Sequence, residues 1–598
     1  TQRELDITNP GDLADVFQAV PGITVGSSIP VSQKIYVNGV EETNLQVTID
    51  GSRQNNKIFH HNATTYIDPE LLKAVRVYAG VAPADAGPGA LGGSIEFETK
   101  DVADLLQFGR TAGGSWKGQY ESNGNIFVTS GTAYARSNGF EVLGFVKYAD
   151  GDLRQDGSDE DITGSSTSLL SGLGKLAYQA SSGDRFELSY ERVQDDAQRP
   201  FRADIGAIIG RPADDRLYDL RRQNFVASYT DETPTAWWDP KVVFAYSVTD
   251  LEVFQQNFGE TSSFNGKAQN RFRFGANSIT IGTDFFRDKT IGDFPLFNEY
   301  SEERITNIGS FAQLRLEPNE KLRLSVGGRY DRQWFEGLDG TEISTSGASG
   351  NASGEADLTS WLTVNAGVSQ KWAGIKLAEP FIFNTAWSYA DGIEDATARN
   401  AVAGLKLHGN GFSLLGRVFR TNLDDFRAPD FRAGPSRTYD AVMRGFDITG
   451  EYKWATGFAR LAYANIKSDV DGRTVDSFTG RYLSTPIGEI ITAQVVHKFV
   501  DQGVTVGVDA EIALDFQNTY NFTTGQSDGP TIPGYEVVNA FIEYTPVQLQ
   551  NVTLRLDVKN IFDQTYASRA TYGQEFATEV VPLREPGRSF KLTGQVKF

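Results

Sequence analysis

Two adjacent histidines, His60 and His61, stand in the stretch RQNNKIFHHNATTYIDP (53–69) of a 598-residue chain that has only four histidines and no cysteine. Neutral imidazole is an intermediate donor that suits ferric haem iron, copper, zinc or nickel. Neighbouring residues of an extended loop point to opposite sides, so the pair predicts one ligand and one residue that supports the loop. The competing reading is a polar loop in which both rings hydrogen-bond locally. A second constellation is QDDAQRPFRADIGAIIGRPADDR (194–216), where Arg199, Arg202 and Arg211 sit among acids. Guanidinium forks suit the carboxylates of a ligand, although such a mixed run is also what a self-paired, solvated loop contains. Tyr520, Tyr566 and Tyr572 fall in or near late polar stretches and offer phenolates for Fe(III). The other histidines, His408 and His497, lie beside or within predicted strands, which makes them poor loop ligands. Without cysteine there is no thiolate catalysis, Cys-ligated zinc or iron–sulfur cluster. No P-loop, HExxH or GxSxG occurs, so an enzyme is not predicted.

The elements that must position these residues are strands. In SFKLTGQVKF, Phe590, Leu592, Val596 and Phe598 share one face while Lys591, Thr593, Gln595 and Lys597 share the other. In NVTLRLDVKN, Val552, Leu554, Leu556 and Val558 oppose Thr553, Arg555, Asp557 and Lys559. VTVGVDAEIALDF and KLRLSVGGRY repeat the pattern, and a period of two means strands with one apolar and one polar face. A soluble sandwich or propeller would turn the apolar faces inward, but no repeat of 40–50 residues and no second hydrophobic layer is evident. A transmembrane β-barrel accounts for the pattern directly, with lipid outside and a wet lumen inside. A charge on its lipid face would cost about 2–4 kcal/mol at mid-bilayer, and a one-residue slip would expose every charge. No run of 18 apolar residues predicts a membrane helix. A formal charge of −21 leaves no basic stripe for nucleic acid. The chain starts at TQRELDITNP, as a mature or trimmed product would, and zero cysteine fits an oxidising compartment. Polar stretches at 148–168 and 338–360 read as long solvated loops.

The first hundred residues differ and predict a small α+β domain. PGDLADVFQAVPGITV predicts a helix capped by Asp12, with a stripe of Leu13, Val16, Phe17 and Val20, stopped at Pro21-Gly22 and followed by a strand. KIYVNGV and LQVTIDG predict strands, DPELLKAVRVYAG a short helix running into a strand, and GPGALGGSIEFETKD a glycine turn and a strand. The predicted organisation is a plug-like domain over 1–104 and a barrel over 110–598, with the break within 101–114.

The order LADVFQAVPGITV, VTIDGSRQ, LLKAVRVYAG, GALGGSIEFET resembles the plug domain of TonB-dependent outer-membrane transporters. The end, LDVKNIFDQTYA and then PGRSFKLTGQVKF with its terminal Phe598, resembles the last two strands of the same family. The resemblance covers both ends closely and the middle by pattern alone. It implies a barrel of about 22 antiparallel strands closed by the plug, set in the outer membrane of a Gram-negative bacterium among phospholipid and lipopolysaccharide. It also implies a monomeric cell-surface receptor that imports a scarce small-molecule ligand, energised by TonB with ExbB–ExbD. No TonB box is recognisable before Leu13, and Ala79-Gly80-Val81 stands where the family has Arg-Gly-Pro, so the ion pair made by that arginine is not expected. Asp50-Gly51, Arg53-Gln54, His60-His61 and Asp68-Pro69 follow the layout of the haem receptors of this family. Counting from Asp50 selects His60 as an axial iron ligand; counting back from Pro69 selects His61. The implied cargo is haem or another iron complex, with Arg199, Arg202 and Tyr572 as further ligand contacts and no prosthetic group. Copper or zinc import, an organic solute, or a passive or receptor-only barrel remain alternatives. Phe426-Arg427-Ala428-Pro429 matches the FRAP motif of haem members, but no NPNL follows and the stretch 387–407, where a second histidine would lie, reads as a short loop. The FRAP match is therefore taken as coincidence.

Overall fold

The computed structural model describes all residues except 1, 56, 59–60, 63–64, 201–202, 204–214, 254–256, 477–482, 522–523, 572 and 577–578. Among them, 22 long antiparallel strands close into a barrel, with a plug of short strands and helices inside it. The last strand, Ser589–Lys597, pairs with the first, Ala112–Glu121, from Lys591↔Glu121 to Lys597↔Ser115. Phe598 and Gly114 exchange two backbone hydrogen bonds of 2.9 Å at that seam. Closure leaves no strand edge unpaired, which is the condition for sheet in a bilayer.

The alternation sorts side chains as the pattern predicts. On the last strand Phe590 and Leu592 are exposed outward, while Ser589, Lys591 and Thr593 are buried inward. On Val552–Lys559, Leu554 and Leu556 face out, and Arg555 and Asp557 pair inside at 2.7 Å. One rim of the barrel wall is closed by tight turns, two of which are Asn-Gly pairs with positive φ: Asn138 (50°) with Gly139 (83°), and Asn410 (51°) with Gly411 (82°). These suit two-residue hairpins. Short turns mark the periplasmic rim and long loops the extracellular one.

Two polar stretches depart from expectation. Most of 338–360 is not a loop: Glu342–Asp357 is a full barrel strand, paired with Leu322–Glu336 and Leu362–Gly374. Its outward residues include Ser344, Ser346, Ala348, Gly350 and Ala352, too small and polar to show an apolar alternation. Backbone pairing on both sides carries the strand where side-chain pattern does not. Likewise 148–168 and 194–216 are strand at both ends: Phe140–Gly151 and Thr167–Gln179 flank the first, Asp184–Pro200 and Asp215–Asp231 the second.

In the plug, Asp12 caps the helix Leu13–Phe17 by accepting from the Asp15 N–H at 3.1 Å. Leu13 and Phe17 are buried, whereas Val20 is exposed beyond the helix end. The expected helix at 68–73 is a single 3-10 turn, Pro69–Leu71, because Val75 and Val77 commit the following residues to the strand Leu72–Ala79, which pairs with Gly93–Thr99. Gln46–Ile49 lies parallel to Gly93–Thr99. The plug core of Ile35, Val37, Ile49, Ile95 and Phe97 merges with barrel residues such as Leu423 and Met443.

Candidate ligand site at the plug apex

The plug is fastened to the wall by ion pairs. Lys147 reaches Asp68 at 2.8 Å, Lys175 reaches Asp101 at 2.7 Å, Lys559 reaches Asp15 at 2.7 Å, Arg315 reaches Asp85 at 2.8 Å and Arg53 reaches Asp288 at 3.0 Å. With Ala79-Gly80-Val81 in the plug, the nearby fastening runs in reverse, from the wall arginine Arg315 to the plug carboxylate Asp85.

The apex is built differently. After Arg53 the chain runs through Ile58, which is fully buried, into a turn where the His61 and Asn62 N–H groups donate to the Ile58 carbonyl at 3.2 Å. This turn aims the His61 ring, itself buried, at the wall, where Nδ1 lies 2.8 Å from the Tyr218 hydroxyl. Tyr218 opens onto the extracellular end of Asp215–Asp231 and donates to the Pro200 carbonyl at 3.1 Å. On its other side the His61 ring packs on Phe381, with ring centroids 4.3 Å apart. Ile29, Val31, Ile58, Tyr66 and Leu251 surround the group as an apolar cluster. His60 lies outside the described residues.

Phe381 comes from the connection 375–395, which was expected to be short at 387–407. It is long and folded inward. Ile375, Leu377, Phe383, Trp387 and Tyr389 pack with Phe286, Ile305 and Phe335 of the wall. Its anchor is the arginine of the FRAP sequence. Arg427 makes a two-point contact with Glu303, at 2.6 and 2.9 Å, and donates to the carbonyls of Lys376 (2.6 Å) and Pro435 (2.7 Å). Tyr389 donates to the same Glu303 at 2.6 Å, and the Ala378 N–H does so at 2.8 Å. Burial, then the Glu303 carboxylate, push the Tyr389 hydroxyl far above the usual phenol range. The motif set aside as coincidence thus holds the loop that covers the apex. Arg427 and Glu303 are 124 positions apart, a pairing that no local pattern displays.

Arg199 is buried and already engaged. Its guanidinium donates to both Asp195 oxygens at 2.8 Å and to the Ser166 carbonyl at 2.6 Å. It lines a cavity of about 270 Å³ between the plug flank and the wall, together with Asp12, Arg154, Tyr566, Glu585 and Lys591. In the extracellular connection, burial and then the Asp12 carboxylate push the Glu585 carboxyl up to about 8. Burial, then Glu585, hold the Tyr566 hydroxyl well above its usual value, which disfavours the phenolate that Fe(III) requires. Arg202 and Tyr572 lie outside the described residues. His408 and His497 are on barrel strands toward the periplasmic rim, His497 accepting from Trp454 Nε1 at 2.9 Å.

Residues 1–94 match the TonB-dependent receptor plug domain, and residues 157–561 match the TonB dependent receptor-like β-barrel. The heme transporter BhuA of Brucella suis is 28% identical over 100% of this chain and 91% of its own. The FrpB iron transporter from Neisseria meningitidis superposes with a TM-score of 0.88 at 17% identity, covering 100% of this chain and 98% of that one. The copper transporter OprC superposes with a TM-score of 0.80 at 17% identity, covering 99% of both chains. These two likenesses carry the fold alone.

Proposed function

The chain belongs to the TonB-dependent receptor family of Gram-negative outer membranes, whose members are transporters and receptors rather than enzymes, and from that premise we propose that its cargo is haem. One observation carries the reading: His61, a member of the adjacent histidine pair, stands at the plug apex between a wall tyrosine and an inward loop at the extracellular end. The full-length likeness to a heme transporter supports it. One of His60 and His61 binds the haem iron and the other holds the apical turn. Imidazole is a common axial ligand of haem iron. Because His61 is packed under Phe381, haem enters as the connection 375–395 lifts, and its ring plane takes over the apolar contacts that Phe381 and Tyr218 make in the closed state. Arg199, held by Asp195, keeps the wall beside the apex in shape, which leaves Arg202 and Tyr572 as the contacts for the haem periphery. TonB, driven by ExbB–ExbD, supplies the work that releases the plug.

The test is a titration of haemin into the purified protein and its His60→Ala and His61→Ala variants, following the Soret band. A band shift present in the wild type and lost in one variant supports haem and identifies the axial ligand. No shift in the wild type sinks the haem reading and moves attention to copper, zinc or another iron chelate.

A further inference from the structure

A second cavity lies between plug and wall, apart from the His61 contacts and from the flank cavity that Arg199 lines. Its volume is about 40 Å³, a few water positions. That is room for one carboxylate or phosphate group and far short of a porphyrin. Three cations from three segments line it. Arg53 ends the short plug strand Ser52–Arg53, Lys57 stands in the apical segment before His61, and Lys376 opens the connection 375–395.

The acids around the cavity have other partners. Asp288 accepts from Arg53 Nε at 3.0 Å, and the same guanidinium lies 4.1 Å over the Phe286 ring. Glu42 accepts from the Thr65 hydroxyl and from the Ile35 N–H at 3.4 Å, and Glu41 accepts from the Thr43 N–H at 2.8 Å. The two lysines are left over. Lys376 is buried, and its one hydrogen bond among the described residues is a long one, 3.4 Å to the Thr43 carbonyl. Lys57 is half-buried and has no hydrogen-bond or ion-pair partner among the described residues. Burial, then the Lys57 and Arg53 charges, hold the Lys376 ammonium well below the usual lysine range. Burial, partly offset by Glu41, brings Lys57 down to about 8. A buried cation without a counter-ion is costly, so the pair is short of negative charge. The plug backbone also leaves room in front of Lys376: Gly89 has a φ of 78°, and a Cβ there would stand 3.8 Å from Lys376 Nζ.

We propose that Lys57 and Lys376 bind one carboxylate or phosphate group between them, with Arg53 as the floor of the site, and that this anion bridges the plug to the wall. An ammonium is a compact charge that suits a single oxyanion group. The apolar walls, Phe286, Ile305, Ile375 and Leu377, strengthen the attraction by excluding water. In the form that rests on the haem reading, the anion is one propionate of the ligand at His61, and the other propionate keeps the contacts proposed above. Lys57 precedes His61 by four positions, so chain length alone keeps their Cα atoms within about 14 Å. The site is also divided. Lys57 belongs to the plug, whereas the Lys376 carbonyl is held to the wall by Arg427 at 2.6 Å. The site is whole only while the plug is seated, and work done on the plug parts the lysines and lets the anion go.

The full chain is titrated with haemin and with haemin dimethyl ester, whose propionates carry no charge, following the Soret band. In parallel, amide exchange over 53–65 and 375–395 is measured with and without inorganic phosphate. The wild type is compared with Lys57→Met/Lys376→Met and with Lys371→Met, which removes a buried wall lysine that donates to the Ala82 carbonyl at 2.7 Å outside the cavity. Heat-modified gel mobility reports that each barrel is folded. The wild type and Lys371→Met are expected to bind haemin at least tenfold more tightly than the diester. The double variant is expected to bind the two alike, with the Soret position unchanged because the iron ligand is untouched. Phosphate that slows exchange in the wild type and not in the double variant, with no preference for haemin over the diester, keeps the site and assigns it to a free anion. Either effect persisting in the double variant, equal loss in Lys371→Met, or neither effect in the wild type would overturn the proposal. A wild type without any Soret shift fails the haem reading alone, and the phosphate arm then decides the site.

Discussion

The plug meets the barrel in two chemically different ways. Its flanks are held by buried and part-buried charge pairs, among them Asp68–Lys147, Asp101–Lys175 and Asp15–Lys559. Around His61 the apex is held by ring packing, the histidine–tyrosine contact and neutral-acceptor hydrogen bonds such as Arg222 to the Tyr66 carbonyl at 2.6 Å. The two kinds of contact fail differently. A buried ion pair resists until one partner is removed, because the charge left behind has no water to solvate it. Ring packing gives way in small steps, and an incoming flat apolar ligand replaces it in kind. Rigid fastening on the flanks and exchangeable packing at the apex is the arrangement a receptor needs if ligand is to reshape the apex without freeing the plug.

The sharpest way to break that contrast is at the flank. Asp68→Asn leaves Lys147, which is buried, with only Glu70 at 3.9 Å. A loss of about 3–5 kcal/mol in local stability is expected, read as faster amide exchange over 66–79 with the apex turn little changed. Second is the anchor of the inward loop. Glu303→Gln removes the carboxylate that serves Arg427, Tyr389 and the Ala378 N–H. About 2–4 kcal/mol of protection across 375–395 should be lost, and haemin should associate faster because the cover over His61 opens more often. Equal association rates would mean that the loop does not gate the apex. Third, Tyr218→Phe deletes one buried hydroxyl contact, which costs about 1 kcal/mol. It should change the haem spectrum little, since the histidine and its ring neighbours stay. Fourth and smallest is a pH effect. The Glu585 carboxyl is raised to about 8, so its contribution to stability is present in full below the ordinary carboxyl value of 4.5 and is lost as pH rises through about 8. Exchange in the connection 560–588 should therefore quicken between pH 5 and pH 8 beyond the intrinsic rate. In Glu585→Gln that excess should vanish.

Much of the barrel was legible because lipid is an unforgiving neighbour. Phe590, Leu592, Leu554 and Leu556 could face only one way, and so could Lys591, Arg555 and Asp557. The strand Glu342–Asp357 escaped notice for the complementary reason: its outward serines, alanines and glycines carry no charge that lipid would punish and no apolar side chain that marks a face. At the site, the histidine pair was visible as a rare residue doubled in an otherwise polar stretch. Its surroundings were not. Tyr218, Phe381, Glu303 and Arg427 reach the apex or its cover from four separate segments, and nothing in the local spacing of any one of them points to the others.

By itself the amino-acid order determined the membrane barrel, the plug with its Asp12-capped helix and the inward placement of charge, and it singled out the His60–His61 pair for the proposed site. These follow from periodicity, capping and donor chemistry, which act between near neighbours. The tertiary structure alone decided that Arg199 is held by Asp195, that Arg427 ties down an inward loop, and that His61 lies beneath Phe381 against Tyr218. Those outcomes depend on strand register and barrel closure, which set the distance between residues far apart in the chain.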